Sequence, residues 1–128
     1  MFHYTVKTNE SIDDAINTLE SQLKTESFGV LWKFDIKETL ENKGFDFDQS
    51  YRVLEVCNPK EAKDILEKNS LVGYFLPCKI VVYGENNSTM IGLPRPTQLI
   101  SMVKDEHLKD TAKNIEDRLI KCIDASVK

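Results

Sequence analysis

Two runs of apolar and branched residues, Tyr74–Tyr83 and Thr89–Leu93, are separated by Gly84-Glu-Asn-Asn-Ser88. Glycine and asparagine tolerate positive φ, so this spacing predicts a tight hairpin and commits that part of the chain to antiparallel pairing. Three more stretches read as strands. Phe2–Lys7 alternates apolar and polar residues, Phe28–Phe34 is rich in aromatic and branched residues, and Tyr51–Cys57 is similar. About five strands are therefore expected in one mostly antiparallel sheet.

Helical spacing marks what must cover that sheet. Ile12, Ala15, Ile16, Leu19 and Leu23 form one apolar face, with Ser11 as the expected N-cap and acidic groups near the positive helix end. Leu108, Ala112, Ile115, Leu119 and Cys122 form another. Shorter helices are expected at Ile36–Asn42, ending at Gly44, and after Asn58-Pro59, where Ala62, Ile65 and Leu66 supply the buried side. A further short one starts near Thr97. The order β-α-β-α-β-α-β-β-α predicts an α+β two-layer sandwich, with one sheet face packed by helices.

A chain of 128 residues fits a single domain over 1–128 with one core. The hydrophobic share of 41% argues against general disorder. A net charge of −4, with 17 basic residues dispersed among 21 acidic ones, lacks the basic stripe of a nucleic-acid binder. The N-terminal residues do not read as a signal peptide, and no apolar run is long enough for a membrane span, so a cytoplasmic location is expected. Three cysteines in an odd, scattered set fit a reducing compartment. His3 and His107 are isolated, so neither a metal nor another cofactor is expected.

Chemistry concentrates in "EVCNP" and "LPCK". Cys57 closes a strand just outside a helix N-terminus, where unpaired N–H groups would favour a thiolate and Asn58 could donate to an anion. Cys78 alternates with Ile80 and Val82 and is expected to face the core, opposite to Cys57. Cys122 belongs to a helical apolar stripe. Tyr51, Val53, Glu55 and Cys57 share the other sheet face with Lys79, Val81 and Tyr83, too apolar a set for free solvation. That face predicts a homodimer interface or the floor of a cleft, and Glu55 and Lys79 could pair across it. Arg95, between Pro94 and Pro96, sits on a stiff segment suited to gripping an anion or marking a surface turn.

The segments "SFGVLWKFDIKETLENKG", "YRVLEVCNP" and "LPCKIVVY" together make the chain resemble the domain of unknown function 302 family over nearly its whole length. That resemblance implies a small α+β domain that forms homodimers and carries no established reaction. Many members have asparagine after the second cysteine, where this chain has Lys79. The expected function is a homodimeric module binding a small molecule or a protein through Glu55, Cys57, Asn58, Cys78 and Lys79. A thiol-dependent enzyme or redox sensor using Cys57 is one alternative. A purely structural or interaction protein is the other.

Overall fold

The computed structural model describes residues 1–127. Its elements are β1 (His3–Thr8), α1 (Ile12–Thr25), β2 (Gly29–Asp35), α2 (Ile36–Asn42), β3 (Tyr51–Cys57), α3 (Pro59–Lys68), β4 (Cys78–Glu85), β5 (Ser88–Pro94), α4 (Pro96–Ile100) and α5 (Lys109–Ser126). Two single 3₁₀ turns, Ser70–Tyr74 and Glu106–Leu108, complete the order. The five strands form one open antiparallel sheet in the order β1-β5-β4-β3-β2. The chain is thus the α+β two-layer fold that its periodicities predict.

Local chemistry sets the element ends. Ser11 Oγ accepts a hydrogen bond from Asp14 N at 3.2 Å and starts α1. Asn58 Oδ1 does the same for Glu61 N at 3.2 Å, and Pro59 fills the first position of α3, where its missing N–H costs nothing. Gly44, at φ 89°, terminates the turn after α2 in a conformation that disfavours other residues. Asn86 and Asn87, at φ 51° and 64°, make the two-residue β4–β5 turn.

The strand expected from Tyr74 starts only at Cys78. Asn69 Oδ1 accepts from Leu71 N at 3.0 Å and captures Ser70–Tyr74 as a 3₁₀ turn instead. Pro77, which has no N–H to give a ladder, lies just before the strand. Leu66, expected on the buried side of α3, is 39% exposed, which leaves Ile65 as the one buried apolar side chain of that helix.

Leu54, Val56, Ile80, Val82, Ile91 and Leu93 project from the three central strands into the core. They meet Leu19 and Leu23 of α1 and Leu119 and Ile123 of α5, all essentially without solvent exposure. Each such side chain contributes on the order of 1.5–3 kcal/mol by burial, which is what holds the helical layer to the sheet.

On the opposite sheet face none of the side chains of β3 and β4 is fully buried, unlike Leu54, Val56, Ile80 and Val82. Tyr51 and Tyr83 are cross-strand partners with rings stacked at 4.9 Å and 7°. Trp32 and Phe34 stack at 5.1 Å and 11°, and Trp32 is 52% exposed. A register shift between Val30 and Trp32 bulges Leu31 outward from the same edge.

Candidate functional site

The sheet forks at one end. β4 pairs with β5 from Val81–Gly92 to Glu85–Ser88, whereas Leu93 and Pro94 of β5 pair with β1 only. Cys78, Lys79 and Ile80 keep β3 as their partner. Proline at 94 and 96 cannot donate to a ladder, so the chain leaves the sheet here and turns into α4.

A cavity of about 390 Å³ occupies the fork. Its walls are mainly apolar and come from every neighbouring element: Ile65 of α3, Val72 of the 3₁₀ turn, Ile100 of α4, and Leu108, Ala112 and Ile115 at the start of α5. The run Tyr74–Pro77, expected as strand, forms another part of the wall. Glu55, Cys78, Lys79 and Thr111 supply most of the polar lining. This volume falls in the range of small-ligand pockets.

A buried carboxylate holds one wall in place. Glu116, 2% exposed, accepts from Arg95 Nε and Nη2, both at 3.3 Å. Its second oxygen accepts from Thr97 N at 3.0 Å and from Thr97 Oγ1 at 2.7 Å. Four hydrogen bonds therefore fasten the five-residue α4 to α5 across the cavity. The anion that Arg95 grips belongs to the chain itself. Arg95 was legible in the sequence as an anion-gripping residue, but its partner Glu116, and Thr97 beside it, escaped the sequence-based site. Their signal was an acid, four residues after Ala112, placed on the apolar stripe of α5.

A second, much smaller cavity, about 10 Å³, lies beside the first. Cys57, Asn58, Glu61, Val56, Phe28 and Cys78 are among its walls. It is at most the size of one water. One carboxylate oxygen of Glu61 accepts from Arg118, while its Oε2 is buried with no hydrogen-bond partner among the described residues. Arg118 also donates to Glu26 Oε1 at 3.1 Å and to Glu26 O at 2.7 Å, and stacks 4.9 Å over the Phe28 ring. This guanidinium locks α1, α3 and α5 together behind the cysteines.

The five candidate residues thus divide between two cavities. Glu55 and Lys79 line the large one, Cys57 and Asn58 the small one, and Cys78 both. Glu55 and Lys79 are opposite each other in register, as expected, yet no ion pair joins them among the described residues. The side chain of Asn58 is spent on capping α3. All three cysteines are free thiols.

The thiol electrostatics run opposite to the helix-end expectation. Burial pushes the Cys57 thiol up, and the nearby Glu61 carboxylate adds to the effect. Burial pushes Cys78 further, to about 11, with Cys57 and Glu61 contributing. Desolvation therefore outweighs the favourable helix terminus at Cys57 and governs Cys78, which opens a strand. Cys122 donates to Gln22 O at 3.4 Å and is raised chiefly by burial. Among the described residues, no group of three or more His, Cys, Asp or Glu side chains is placed to hold a metal. No helix among them is long and apolar enough to cross a membrane.

An open antiparallel sheet with one helical layer and a cavity in its fork defines a two-layer α+β protein. The chain matches the family described as domain of unknown function DUF302 over residues 4–126, and it belongs to that family. It is also similar to a solved structure, described as an uncharacterized conserved protein DUF302 from Bacillus stearothermophilus. The two are 52% identical, with a TM-score of 0.95 and 98% of each chain covered. No curated protein matches the chain.

Proposed function

We propose that the protein is a homodimeric binding module that takes a small, largely apolar molecule into the fork cavity. The observation that carries this reading is the cavity itself: about 390 Å³, apolar walls, and a few polar groups gathered at β3 and β4. The Glu116 clamp supports it, because a fastened α4 keeps the space from collapsing onto α5. In this reading Glu55, Cys78 and Lys79 contact the ligand, whereas Cys57 and Asn58 terminate β3 and launch α3. The one core shared by the sheet and the long helices supports a one-domain organisation. The two aromatic stacks support the dimer, since pairing them would remove both from water while leaving the Lys79 end of that sheet face open to the ligand.

Ala112 lies on the cavity wall at 6% exposure, so its replacement tests the cavity directly. An apolar fragment library is screened by thermal shift against the wild type and Ala112→Phe. Fragments should stabilise the wild type and lose their effect on the filled, folded variant. Equal stabilisation of both proteins, or of neither, would overturn the reading.

A further inference from the structure

We infer that the molecule the fork cavity accepts is an apolar α-amino acid, with its side chain in the cavity and its charged groups on Glu55 and Lys79. This rests on the reading of the cavity as a ligand site. Glu55 and Lys79 are direct cross-strand partners, so their Cβ atoms project from the same sheet face about 4.5–5.5 Å apart. Both line the cavity, and among the described residues neither makes a hydrogen bond or ion pair with any other side chain. An unspent carboxylate and an unspent ammonium therefore stand side by side next to an apolar space.

The pairing of opposite charges selects among ligands. A simple apolar carboxylate would gain Lys79 but meet repulsion from Glu55, and an apolar amine would meet the reverse. A neutral hydrocarbon would leave both charges unused. An α-amino acid carries an ammonium and a carboxylate on one carbon, and it satisfies both residues at once. Glu55 and Lys79 project from the sheet face opposite to the helices, so the ligand's side chain reaches Ile65, Ile100 and Ile115 through the gap where β4 and β5 part. Small polar amino acids would leave that wall uncovered.

Calorimetric titration of the full chain with L-phenylalanine, hydrocinnamate, phenethylamine and phenylpropanol tests the assignment. L-Phenylalanine should bind roughly threefold to fivefold more tightly than either singly charged analogue, as expected for partly exposed charge contacts. Lys79→Glu and Glu55→Lys should each weaken L-phenylalanine by roughly tenfold, because each creates a like-charge pair at the site. The combined exchange, with both substitutions, should restore binding. If phenylpropanol binds and L-phenylalanine is no tighter, the amino-acid assignment falls while the cavity reading stands. If none of the four binds, both fall. A folded double exchange that stays as weak as the single variants also overturns the assignment.

Discussion

Arg95 and Glu116 are joined through both guanidinium Nε and Nη2 at 3.3 Å, and the carboxylate end of that pair is 2% exposed. With Thr97 donating twice to the other oxygen, this contact ties the exit of the sheet to the long terminal helix. The α4 wall of the cavity exists because of it.

Removing this carboxylate should therefore be costly. Glu116→Ala leaves Thr97 N, Thr97 Oγ1 and Arg95 Nε and Nη2 without their acceptor, at about 2–4 kcal/mol of stability. Arg95→Ala should cost less, since Arg95 is one-third exposed and Thr97 remains bound. Urea unfolding of both variants checks the order; a Glu116→Ala protein as stable as the wild type would refute the clamp.

Gly92 is required by a close approach. A Cβ at this position would meet Thr5 Oγ1 at 2.7 Å and Tyr4 O at 3.3 Å. Gly92→Ala should destabilise by about 1–3 kcal/mol through overpacking. The loss should shrink in a Thr5→Ala background, where the nearer obstacle is gone. Thermal denaturation of the four proteins in the cycle measures this, and additive losses would contradict the steric origin.

Stability should fall in alkaline solution through Cys78. Its folded-state pKa, near 11, lies above the unfolded value of about 8.5–9. The unfolded chain therefore loses this proton first as pH rises, and the stability it supports is full below pH of about 8.5 and declines toward about 11. The loss amounts to roughly 2–3 kcal/mol across the window. Cys78→Ala should have a shallower stability slope there than the wild type, whatever its absolute stability.

The same electrostatics govern reactivity. With its thiol pushed up by burial and Glu61, Cys57 should be alkylated at neutral pH more slowly than a free thiol. Glu61→Gln should speed it modestly by removing the adjacent negative charge. Mass-resolved labelling of the folded protein reads each cysteine separately. Faster than free-thiol labelling of Cys57 would reinstate a thiolate chemistry at the α3 terminus.

The uncovered aromatic face should carry self-association. Trp32→Glu places a charge where the stacked Trp32 and Phe34 rings would be buried, and should weaken the dimer at least tenfold. Sedimentation over a concentration series decides it. A variant that sediments like a self-associating wild type would exclude this face as the interface, and a wild type that stays monomeric would refute self-association.

Much of the fold was legible because its signals are local. The Ser11 cap and the spacing from Ile12 to Leu23 specify α1, Asn58-Pro59 starts α3, and Asn86-Asn87 turns β4 into β5. Each depends on residues within a few positions of one another. The alternation of β3 and β4 also put Glu55 and Lys79 on one sheet face, and the strand pairing makes them direct partners. What local pattern could not supply was long-range. β1 reaches β5 across the sequence, and in doing so draws Leu93 and Pro94 away from β4 to open the fork. Tyr74–Pro77 has strand-like composition, but its Asn69-capped turn and Pro77 make it cavity wall. Arg95 and Glu116 are 21 residues apart, and only the packing of α4 on α5 makes them partners. The sign of the cysteine shifts was decided the same way. Sequence places Cys57 at a helix terminus, where a thiolate is favoured, but the tertiary fold removes it from water beside Glu61, and desolvation wins.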